Sequence, residues 1–153
     1  MAKLKIGDVV EIATKNGLRY AQYTHKHKQY GALLRVLEGT YEVRPEIGSD
    51  FVKSKSVFVC FFPLNAAVQK GIVSVVCNLD VPVEARPFPV FRAGVVDPAT
   101  RKVGVWWLWD GEKEWRIGEL TPEQRRLSIR GVWNDTFLIE RLESGWTPEA
   151  DPA

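Results

Sequence analysis

The sequence predicts an α+β, strand-dominated domain: a curved antiparallel sheet or partial barrel with one or two short helices near the C-terminus. Three observations carry that reading. Apolar and polar residues alternate with a period of two over much of the chain. Turn signals such as Asn16-Gly17 and Asp110-Gly111 sit between the alternating runs. Aromatic and β-branched residues, six Trp among them, crowd those runs. At 153 residues, 45% hydrophobic and 26% charged, the chain has the size and balance of one folded domain. The domain is taken as 1–147, with a flexible tail at 148–153.

In order along the chain, residues 8–13 open the first strand. After Asn16-Gly17, whose two residues tolerate the positive φ of a type I′ turn, residues 18–30 alternate as a second. Residues 31–37 form a third strand or extend the second. Residues 38–56 read as a polar loop with a short strand at 40–43. The continuous apolar run 57–62 has the pattern of a strand covered on both faces. Pro63 starts a short helical stretch that Gly71 ends, and a β-branched strand follows at 72–77. Residues 81–92 carry three prolines and read as extended edge or linker, because proline cannot donate to a central ladder. Residues 102–109 and 112–117 form a hairpin turning at or near Asp110-Gly111. Alternation puts Val105, Trp107 and Trp109 on one face of it and Trp106 and Leu108 on the other. Thr121-Pro122-Glu123-Gln124 is a helix start with a capping box, cut short by Gly131. Residues 134–144 read as a second helix ended by Gly145, with a strand at 137–139 as the competing assignment. The acidic tail after Trp146 is predicted to fray.

Signals for bond-making chemistry are sparse. No Gly-x-Ser-x-Gly elbow, phosphate-cradling loop or dinucleotide fingerprint occurs. The carboxylates Asp110, Glu112, Glu114 and Glu119 flank a turn, where water keeps a general acid from being tuned. His25 and His27, at i, i+2 on one strand, share a face and offer two metal ligands, fewer than a zinc site needs. Cys60 and Cys77 lie inside apolar runs and read as reduced thiols, which apolar surroundings make inert. No signal peptide and no apolar run near the ~20 residues of a membrane span are evident, which points to the cytoplasm. No catalytic residue, metal ligand or cofactor site is therefore assigned.

Binding surfaces are better supported. The net charge of +2 argues for no partner by itself, but residues 1–70 are net basic and the remainder net acidic. Tyr20, Tyr23, His25, Lys26, His27, Lys28 and Tyr30 interleave rings and cations, as single-stranded nucleic-acid platforms do. Trp106, Trp107, Trp109 and Trp115 cannot all hide on one side of a two-stranded element. Indoles ringed by Asp110, Glu112 and Glu114 would form a hot spot with a polar rim, suited to a basic protein partner. The predicted contact set is Trp106, Trp109, Asp110, Glu112, Glu114 and Trp115. At least one of the hairpin indoles is predicted to be exposed, and Trp109→Ala or Glu112→Lys to weaken binding without unfolding the domain.

Several segments taken together carry a resemblance. They are Lys5-Ile-Gly-Asp-Val-Val-Glu-Ile, Gly17 with Tyr20-Ala-Gln, Gly31-Ala-Leu-Leu-Arg-Val, Phe61-Phe-Pro-Leu, Pro87-Phe-Pro-Val-Phe-Arg and Trp107-Leu-Trp-Asp-Gly. Over residues 5–147 the pattern resembles a family of bacterial immunity proteins from polymorphic toxin systems, catalogued as family twenty-six. The resemblance implies a small strand-dominated α+β domain that neutralises a cognate toxin by stoichiometric binding and is no enzyme. It brings no binding residues with it. The reading is thus a non-enzymatic protein-binding domain, with a single-stranded nucleic-acid-binding module as the alternative.

Overall fold

Alternation in the first forty residues builds a meander of three antiparallel strands, β1 (Asp8–Thr14), β2 (Gly17–His27) and β3 (Gly31–Leu37). The computed structural model, which describes residues 3–153, sets β4 (Ser56–Phe61) beside β3 and β5 (Val73–Asn78) beside β1. The product is an open five-stranded antiparallel sheet ordered β4-β3-β2-β1-β5. Strands β6 (Phe91–Ala93), β7 (Trp106–Trp109) and β8 (Glu114–Gly118) make a separate three-stranded antiparallel sheet. Helices are short: α1 (Ser49–Val52), α2 (Leu64–Gln69) and α3 (Asp135–Ser144). The molecule is therefore α+β and strand-dominated, with a helix near the C-terminus and a sheet that stays open. No helix among the described residues is long and apolar enough to cross a membrane.

Strand alternation sorts the core. On one face of the large sheet Val10, Ile12, Ala21, Tyr23, Leu34, Val36 and Cys60 meet Leu64 and Ala67 of α2, Trp133, and Leu138 and Leu142 of α3. On the other face Val9 and Tyr20 pack under Val52, Ile47 and Tyr41, while Leu33 and Phe61 pack under Phe91 and Trp109 of the small sheet. The apolar run in β4 is buried from both sides for this reason. Each fully buried Leu or Phe contributes roughly 1.5–3 kcal/mol.

Three local expectations need correction. The β1–β2 turn pairs Thr14 with Gly17, and only Gly17 has a positive φ (134°), so no type I′ turn forms on Asn16-Gly17. With Gly17 already paired, the turn falls on Lys15-Asn16, and the glycine instead makes room for Tyr41, whose backbone exchanges hydrogen bonds with Leu18 and whose carbonyl oxygen would lie 2.8 Å from a Cβ at 17. In place of a strand at 40–43 there is that single bridge at Tyr41, and α1 follows it. The tail at 148–153 is packed rather than frayed. Asp151 is buried, its carboxylate accepts from Trp146 Nε1 (3.0 Å) and Arg141 (3.4 Å), and its carbonyl accepts from Arg125 (3.2 Å).

The two predicted caps form. Thr121 and Gln124 exchange backbone-to-side-chain hydrogen bonds of 2.9 and 3.2 Å, although only a single 3₁₀ turn, Gln124–Arg126, follows them. Asn134 accepts from the Phe137 N–H (2.8 Å) and Gly145 ends α3 at φ 70°. With Leu138 and Leu142 buried one turn apart, helix prevails over strand at 137–139.

A braced tryptophan hairpin as candidate partner site

The hairpin is built from its turn outward. Asp110 Oδ1 accepts from the N–H groups of Lys113 (2.8 Å) and Glu112 (3.0 Å), and these bonds hold its carboxyl below the usual range. The loop is Asp110–Lys113, closed by the Asp110 N–H to the Lys113 carbonyl (3.1 Å), longer than a two-residue Asp-Gly turn. Gly111 lies at φ 99°, and a Cβ there would sit 2.8 Å from the Phe88 ring. Only glycine allows the turn to approach the proline-rich segment so closely.

The turn is latched to the large sheet by His27. Its Nδ1 accepts from the Gln29 and Tyr30 N–H groups (3.1 and 3.2 Å), which makes Nε2 the donor to the Gly111 carbonyl (2.8 Å). Around the imidazole stand Tyr30, Phe61, Phe88 and Trp109, the last with ring centroids 5.1 Å away and edge-to-face. Phe61 in turn stacks on Phe91 (5.3 Å), so one aromatic cluster joins both sheets. A bulge in β2 makes this contact. Tyr23 pairs with Leu34 but His25 with Leu33, so Thr24 is the extra residue, and both histidines turn to the face opposite Tyr23.

That geometry decides the fate of the basic aromatic strand. Tyr20, Tyr23 and His27 are buried, leaving Lys26 and Lys28 exposed beside the partly exposed His25 and Tyr30. Each ring nitrogen of His25 is also engaged, Nε2 by the Arg86 carbonyl (2.7 Å) and Nδ1 by the Thr24 hydroxyl (2.9 Å). No group of three or more His, Cys, Asp or Glu side chains able to hold a metal occurs among the described residues. Both cysteines are free, and burial raises the pKa of each thiol.

Of the predicted contact residues, the structure separates two from the rest. Trp109 is 6% exposed inside the aromatic cluster, with Arg130 stacked on it at 5.3 Å. Trp106 is 4% exposed beneath Arg92, 4.7 Å from its ring. Neither indole meets solvent, so Trp109→Ala would attack the cluster that joins the two sheets. Glu114 is half exposed and already paired with Arg130 at 2.9 Å. Asp110, Glu112 and Trp115 remain at the surface, Trp115 being 41% exposed.

Sequence reasoning left Trp107 out of the contact set, yet it is 37% exposed. It shares a face with Trp109, as alternation predicts, but pairs with Ala93 and Arg116 beyond the end of the aromatic cluster. The small Ala93 opposite it was the available signal. The adjoining β6–β7 connection adds the exposed Val95, Val96 and Val105, held together by an antiparallel bridge between Val96 and Val103.

Comparison with protein-family models, with curated proteins and with solved structures finds no match to this chain.

Proposed function

We propose that the chain is a non-enzymatic partner-binding domain, acting in the cytoplasm as an immunity protein that neutralises a cognate toxin through its β7–β8 hairpin. One observation carries this reading: Trp107, on the face of Trp109, and Trp115, on the opposite face with Leu108, are left partly exposed on an element whose base is locked by packed rings. An indole held in place by its support loses little conformational freedom on binding, and Trp dominates interface hot spots. The hairpin carries Asp110, Glu112, Glu114 and Glu119 against Lys113 and Arg116, an excess of acid that favours a basic partner. The apolar Val95, Val96 and Val105 extend the surface beside Trp107. The resemblance of residues 5–147 to toxin-immunity proteins supports the same reading.

The test is protection. A toxin encoded by the neighbouring gene is expected to arrest growth when expressed, and the chain to relieve that arrest; a neighbour that encodes no toxin counts against the proposal. The double variant Trp107→Ser/Trp115→Ser accumulates as a folded protein but protects no longer. Arrest that the intact chain does not relieve, or that the double variant relieves equally, would reject the proposal.

A further inference from the structure

Two open sheets present four edges, and three of them are blunted. At the β4 edge the Val59 N–H donates to Ser128 Oγ (2.9 Å) and the Trp133 N–H to the Phe61 carbonyl (2.9 Å), so the 128–133 segment covers it. The same segment covers β6, where the Arg92 N–H donates to the Ser128 carbonyl (3.0 Å) and the Arg130 N–H to the Arg92 carbonyl (2.9 Å). β8 is open but carries Glu114 and Arg116, charges that oppose the addition of a strand. β5 differs from all three. It pairs with β1 on one side, and no described residue pairs with its outer edge. Its residues, Val-Ser-Val-Val-Cys-Asn, include neither a charge nor a proline, and Val75 is 39% exposed. Its one irregularity is a bulge at Val76, between the partners of Val9 and Val10, which twists the edge locally and leaves Val73–Val75 regularly paired with β1. An edge of this kind is a template for another strand.

We propose that the strand it takes is its own: two copies of the chain pair their β5 strands antiparallel about a two-fold axis, joining the two large sheets into one. Two features favour a second copy over an unrelated strand. Two-fold pairing brings a strand against itself, so any charge in it would face a like charge nearby, and β5 has none. The strand is flanked by Lys70 before it and Asp80 after it, both exposed and neither ion-paired among the described residues. Antiparallel pairing carries Lys70 of each copy toward Asp80 of the other at both ends. The edge lies in a different sheet from the tryptophan hairpin, so self-association and toxin binding are separable.

The full chain is tested by light scattering and sedimentation over a wide concentration range. Its mass rises toward twice that of one chain as concentration increases. Val75→Lys, at an exposed site, stays at the single-chain mass with an unchanged circular dichroism spectrum. Asp80→Lys weakens the dimer, and Lys70→Asp with Asp80→Lys restores it. Single-chain mass at every concentration would overturn the proposal. So would a dimer that Val75→Lys leaves intact, or one that Trp107→Ser disperses in its place.

Discussion

The five-stranded sheet buries both its faces under aliphatic and aromatic side chains, whereas the three-stranded sheet is held by one ring cluster and a set of cations. In the large sheet, alternation delivers Val10, Ile12, Leu34 and Val36 to one side and Val9, Tyr20 and Leu33 to the other. Helices and loops then close over each side. In the small sheet the fixed points are few: Trp109 inside the cluster, the His27–Gly111 latch, and Arg92. That arginine is wholly buried and donates to the carbonyls of Leu127 (3.2 Å) and Pro148. The difference separates a scaffold from a presenting element. Dispersed apolar burial makes the large sheet indifferent to what binds outside, while the small sheet spends its rings on attachment and still leaves two indoles outward.

This contrast is most strongly broken at the joint. Phe61 belongs to β4 yet packs on Phe91 and Trp109, so Phe61→Ala strikes both sheets and is expected to cost about 3–5 kcal/mol in urea unfolding. Arg92→Met leaves two carbonyls without their donor and is expected to cost about 2–3 kcal/mol. Hydrogen exchange is expected to show that loss first in β6–β8, with β1–β3 protected until global unfolding. His27→Leu removes the latch and both backbone bonds to Nδ1, a loss of about 1–2 kcal/mol. Its distinguishing sign is freer exchange at Glu112 and Lys113, with β1 unchanged.

The smallest effect concerns acid. The Asp110 carboxyl is held below its ordinary value of 3.8 by the Lys113 and Glu112 N–H groups. Its contribution to the turn is therefore fully present above that value and is lost as pH falls through the lower, folded one. Amide shifts of Glu112 and Lys113 followed on acidification are expected to move there, while Asp110→Asn flattens the titration.

The large sheet was legible in the sequence because its information is local: alternation places residues on faces, Gly17 marks the start of β2 and Gly71 the step from α2 to β5. The site was legible only as a region. Asp110-Gly111 announces the hairpin and alternation assigns the faces of Trp106–Trp109, although the first arm starts at Trp106 and not at 102, and burial on a face depends on what arrives from elsewhere. Trp106 is covered because Arg92 stacks on it, and Trp109 because the Thr24 bulge swings His27 against it. Trp107, on the same face as Trp109, falls past the cluster's end. The packed tail left a fainter trace in Trp146 and Asp151, five residues apart, which bond only because the 3₁₀ turn Pro148–Ala150 folds the chain back.

The central claim is that the outward indoles carry binding and the inward ones carry structure. Calorimetric titration of the purified toxin into the chain and into Trp107→Ser/Trp115→Ser, with thermal midpoints measured alongside, tests it directly. The account predicts a Kd weaker by roughly thirtyfold, about 2 kcal/mol, at an unchanged midpoint. Equal affinity for the two proteins would contradict it, as would a loss of affinity matched by a fallen midpoint.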